Sequence, residues 1–67
     1  MRAEDLVTFN GFLSTFWKEC RRHPEESQYS IFNRLNDCYY ERFGEDRFIS
    51  FDAFRMRRDR LYKRRKH

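Results

Sequence analysis

A chain of 67 residues makes one small domain, and a domain of that size buries only about 60% of the surface its unfolded chain exposes. So thin an interior can scarcely desolvate reacting groups, which argues against an enzyme. The 15 Lys and Arg outnumber the 11 Asp and Glu, and no apolar run approaches the length of a membrane span, so polar partners are expected and a membrane is not.

Residues 1–22 carry charges throughout and lack the apolar stretch of a secretory leader. Cys20 and Cys38 are therefore expected as free thiols in a reducing cytoplasm. Within this region, Leu6, Phe9, Phe12, Leu13, Phe16, Trp17 and Cys20 recur at helical spacing and cover an arc of roughly 140°. The spacing predicts a first helix over 4–22, with Val7 the one apolar residue off the stripe. Gly11 costs about 1 kcal/mol against Ala inside that helix, and a close approach by a neighbouring backbone would account for it.

His23-Pro24 ends the first helix, because the residue before proline is pushed out of the helical region. Pro24 suits the first turn of a second helix and Glu25 and Glu26 suit its dipole, giving a span of 24–43; Ser27 and Ser30 offer later starts by side-chain capping. Gly44 is the expected left-handed residue after its end. Between Tyr29 and Phe43 the apolar residues cover roughly 200°, too broad for one neighbour, so this helix is expected to sit centrally. Phe48 and Ile49 in the following connection are both expected beneath the first two helices. Ser50 caps a third helix over 51–64 with a narrow stripe of Phe51, Phe54, Leu61 and Tyr62, into whose sector Arg58 also points. The fold class is all-α: an αα-hairpin plus a third, basic helix in a single domain spanning 1–67. Its abundance of aromatic surface points to a homodimer.

Charge is divided unevenly along the chain. Residues 54–67 hold eight Lys and Arg against the single acid Asp59, a net +7; residues 1–53 hold seven against ten, a net −3. Arg55, Arg57, Arg58, Arg60, Lys63, Arg64, Arg65 and Lys66 are the candidate nucleic-acid contacts, since guanidinium forks and aromatic neighbours are what phosphate backbones select. Tyr62, among them, is the candidate for stacking on a base. A competing reading has these cations balance acids such as Glu41, Glu45, Asp46 and Asp52 within the fold.

The 44–50 connection is longer than that of a helix-turn-helix, and 51–67 lacks the Asn and Gln that read base edges. DNA and RNA both remain open, with backbone recognition favoured over sequence readout. The alternative is a protein-interaction module or inhibitor docking on a larger cellular protein. Val7 and Tyr40 would then form its contact, and the basic end would steer it to an acidic surface. Cys20 and His23 have helical spacing for two metal ligands, but Cys38 completes no zinc frame, so neither metal nor cofactor is expected. There is no phosphate-binding glycine loop and no nucleophile–base constellation, hence no catalytic residue. No motif ties the chain to a known family.

Overall fold

The computed structural model describes residues 2–65, and side chains as far as residue 63. Among the described residues the chain is all-helical, with three α-helices and no strand: α1 (Phe9–Arg22), α2 (Gln28–Phe43) and α3 (Phe51–Arg65), preceded by a 3-10 turn (Ala3–Leu6). No helix among them is long and apolar enough to cross a membrane.

Each α-helix begins at a hydroxyl side chain. Thr8 Oγ1 accepts from the Gly11 amide, Ser27 Oγ from Ser30 and Ser50 Oγ from Ala53. Each bond satisfies one of the amides that a helix start leaves without a backbone partner. The first cap divides the expected 4–22 helix. Thr8 is extended, with φ −91° and ψ 155°, so residues 3–6 form a separate turn and α1 starts at Phe9. The second cap moves the start of α2 from Pro24 to Gln28, leaving Pro24 in the connecting turn. Gly44, at φ 77°, ends α2 in the left-handed region, and its amide reaches back to the Tyr40 carbonyl.

Gly11 permits a close backbone approach. A Cβ at that position would lie 2.2 Å from the Asp5 carbonyl oxygen. With no side chain there, the 3-10 turn folds back over the first turn of α1 and delivers Leu6, fully buried, to the core.

That core is built from rings. Phe12, Phe16, Phe32, Phe48 and Phe54 are buried together with Leu6, Leu13, Ile31 and Leu35. Phe54 joins α3 to the rest: its ring centroid lies 4.9 Å from Phe16, 5.2 Å from Phe12, 5.3 Å from Phe48 and 5.5 Å from Phe32. Burying a side chain of this size contributes about 1.5–3 kcal/mol, and each favourable ring pair adds about 0.5–1.5 kcal/mol. Phe54 is therefore the main apolar anchor of α3, with Phe51 and Leu61 packed against the same core.

The loop between α2 and α3 is fastened by one side chain. Asn36 Oδ1 accepts from the Arg47 and Phe48 amides at 2.9 and 3.2 Å, and its Nδ2 donates to the Phe48 carbonyl at 3.1 Å. Arg47 also donates from Nε to the Leu6 carbonyl, joining the loop to the 3-10 turn. The clamp turns Phe48 inward, at 8% exposure, and leaves Ile49 outside at 92%. The expectation that both residues are buried holds for Phe48 and fails for Ile49: neighbouring residues of so tightly held a segment project to opposite sides.

Candidate nucleic-acid interface

The cations of α3 have separate fates, set by where each falls around the helix. At about 100° per residue, Phe51, Phe54, Arg58, Leu61 and Tyr62 share the inward sector. Arg58 is accordingly buried to 9% exposure. Its guanidinium lies over Trp17, 5.5 Å from that ring, and 6.0 Å from the Phe54 ring; Nη1 donates to Gln28 Oε1 at 3.0 Å and Nε to Asp59 Oδ1 at 3.3 Å. This arginine, expected among the phosphate contacts, is used by the fold to tie α3 to α1 and α2. Tyr62, the expected stacking residue, also faces inward, where its hydroxyl accepts from Trp17 Nε1. Its ring stands 6.5 Å from the indole.

Arg55 is exposed but engaged locally, with Nη2 3.3 Å from Asp52 Oδ1 and its guanidinium over the Phe51 ring. The two acids of α3, Asp52 and Asp59, are thus answered by Arg55 and Arg58. Arg57, Arg60 and Lys63 are exposed, and among the described residues none has a carboxylate within ion-pair distance. At three-residue spacing they occupy an arc of roughly 120° along the outer side of α3, about 4.5 Å apart along its axis. The helix continues through Arg64 and Arg65, whose side chains lie outside the described residues, as does Lys66 entirely.

Beside this row the surface is apolar. Phe9, Ala53, Met56 and Leu61 line an open groove of about 720 Å³, and Arg57 and Arg60 complete its wall. Met56 is 64% exposed, and the Arg57 guanidinium lies 4.6 Å from the Phe9 ring centroid. The sequence placed Phe9 on the inward stripe of the first helix and gave Met56 no role. Their meeting depends on the angle at which α3 crosses α1, which periodicity does not encode.

Several charges of the body pair with one another. Arg34 pairs with Glu26 and lies 3.6 Å from Glu19; Arg22 reaches Glu19 at 3.4 Å, and Arg42 reaches Glu4 at 3.5 Å. The Arg34 hydrogen bond holds the Glu26 carboxyl below its usual range, and Glu26 in turn raises Arg34. His23 Nδ1 lies 3.6 Å from Glu25 and 3.7 Å from Glu26, and the ligand-type atoms of these three residues gather within 4.8 Å of one another. Arg34 already supplies a cation to this acidic turn, and Cys20 is not part of the group. Cys20 and Cys38 are unpaired and partly buried; burial pushes the Cys20 thiol up, against the opposing pull of Arg58.

No family model, curated protein or solved structure matches the chain. What it does must be argued from its own residues. Val7 and Tyr40, the candidate protein contacts, are 48% and 53% exposed, Val7 directly after the 3-10 turn and Tyr40 in the last turn of α2. The 3-10 turn packs against α2 near them, and Phe43, at 38% exposure, lies beside Tyr39 with ring centroids 4.6 Å apart.

Proposed function

We propose that this is a small, non-enzymatic nucleic-acid-binding regulatory protein whose exposed side of α3 grips phosphates. The observation that carries the reading is the row Arg57, Arg60 and Lys63, three exposed cations along one side of α3 that have no acid partner among the described residues. Unpaired cations on a rigid helix retain their full attraction for a polyanion and lose little conformational freedom in meeting it. Arg64, Arg65 and Lys66 would extend the row in sequence. In this reading the protein is cytoplasmic and pairs with a second copy through Tyr40, Phe43 and their neighbours. Two copies of α3 on one particle would raise avidity for a long polyanion.

The test is fluorescence anisotropy of labelled duplex DNA and structured RNA across a salt series. Log affinity should fall linearly with log salt, with a slope of several phosphates. Affinity that ignores salt, or no binding at low salt, would reject the proposal.

A second reading rests on Ile49, 92% exposed on a loop that Asn36 holds in place, with Tyr29 58% exposed on the same groove. A rigidly displayed apolar side chain is what an interaction module offers to a protein partner. In that case Ile49→Ala or Tyr40→Ala would break the complex, and losing the α3 cations would mainly slow association.

A further inference from the structure

We propose that the groove beside Phe9 receives an unpaired nucleobase, so that the preferred ligand is single-stranded or looped nucleic acid and not continuous duplex. This rests on the nucleic-acid reading of α3 and specifies its ligand. Three observations meet at one place. Phe9, Ala53, Met56 and Leu61 supply an apolar floor in a groove of about 720 Å³, within the range of sites that hold small molecules. The Arg57 guanidinium lies over Phe9, 4.6 Å from its centroid, and a planar guanidinium at the groove wall is a surface on which a base can stack. Arg57 and Arg60, which wall the groove, are also the first two cations of the unpaired row, so a phosphate and the base attached to it would be met within one helical turn.

Continuous duplex hides its base faces in the stack and would leave Met56, 64% exposed, uncovered. A single strand presents both of the things this surface accepts, a charged backbone and an apolar ring. No amide or hydroxyl side chain lines the groove, so base-edge contacts there can come only from the Arg57 and Arg60 forks, and apart from a preference for guanine, binding should tolerate changes of sequence. A second copy seated here by twofold symmetry would bring its own Arg57 and Arg60 against these, and like charge disfavours it.

The experiment measures anisotropy with three labelled probes: an oligothymidylate, an abasic oligomer with the same number of phosphates, and a blunt duplex. The wild-type protein should bind oligothymidylate about ten-fold tighter than the abasic oligomer. Arg57→Lys keeps the charge and loses the flat stacking face, while Met56→Ala removes floor. Met56→Ala should abolish most of that preference and leave abasic binding unchanged, while Arg57→Lys, which also alters a phosphate contact, should weaken oligothymidylate binding more than abasic binding. Both positions are exposed, so the variants should fold, and circular dichroism checks it.

Equal wild-type affinity for the two oligomers, with binding to both still lost on Arg57→Ala/Arg60→Ala/Lys63→Ala, would overturn the base pocket and leave the α3 reading standing. Absence of binding to all three probes at low salt would overturn both. A Glu- and Leu-containing peptide that binds in a Met56-dependent manner, where the oligomers show no preference, would assign the groove to an acidic protein segment and overturn the proposal.

Discussion

Replacing Gly11 by alanine separates intrinsic helix preference from tertiary constraint, because the two act in opposite directions. In an isolated helix the change stabilises by about 1 kcal/mol. Here the new Cβ would stand 2.2 Å from the Asp5 carbonyl oxygen and 2.9 Å from Thr8 Oγ1. The Asp5 carbonyl would have to withdraw by roughly 1 Å to reach ordinary van der Waals contact. Asp5 precedes Leu6, which is fully buried and whose carbonyl accepts from Arg47. Lifting Leu6 partly out of the core forfeits much of the about 1.5–3 kcal/mol its burial contributes. Disturbing the Thr8 cap costs about 1 kcal/mol more. Set against the gain in propensity, the net effect is a loss of about 2 kcal/mol. For a domain of this size that lowers Tm by about 10 °C. Thermal and urea unfolding followed by far-ultraviolet circular dichroism measures it, with Ser14→Ala, at an exposed position of the same helix, as the control expected to be neutral or slightly stabilising. A Gly11→Ala protein as stable as wild type, or more so, would refute the account of how the 3-10 turn is seated.

Asn36→Ala should cost about 1–3 kcal/mol by releasing the Arg47 and Phe48 amides, and hydrogen exchange should show those two amides losing protection before the helices do. Arg58→Ala should destabilise the fold by a similar amount, through its lost contacts with Gln28, Trp17 and Phe54, yet leave the salt dependence of nucleic-acid binding unchanged. Arg60→Ala should do the reverse, sparing stability and lowering the salt slope by about 0.7–0.9. Because Arg34 depresses the folded-state pKa of Glu26, the pair's contribution is fully present above the unfolded glutamate pKa and is lost as pH falls through the lower folded value. Urea midpoints taken from neutral to acidic pH should therefore decline less steeply for Glu26→Gln than for wild type, and identical slopes would contradict the assignment.

The features of the fold that were legible in the sequence are those decided by one residue and its near neighbours. Gly44 could be recognised as a helix terminator and Ser50 as a cap because their effect depends on adjacent backbone alone. The stripe from Phe9 to Cys20 was legible because burial repeats with the helix period. Thr8 was harder to recognise: Leu6 lies in phase with Phe9 and Phe12, so the apolar pattern runs through a break made by one hydroxyl. Asn36 gave no sign of its role, since its partners lie eleven and twelve residues away and an asparagine in a helix ordinarily faces solvent. At the candidate site, charge totals singled out α3 but could not sort its arginines. Arg58 shares its sector with Phe54 and Leu61, and the sequence alone does not say whether such a cation is buried or bends outward. The groove was illegible because Phe9 and Met56 belong to different helices and meet only through packing.

The most direct test of the central claim compares wild type with Arg57→Ala/Arg60→Ala/Lys63→Ala in a salt titration against one labelled oligonucleotide. The account predicts wild-type binding with a steep salt dependence, an affinity loss in the triple variant, a slope smaller by about two to three, and unchanged thermal stability. A triple variant that folds and binds with the wild-type slope would show that the outer side of α3 is not the surface that meets phosphate.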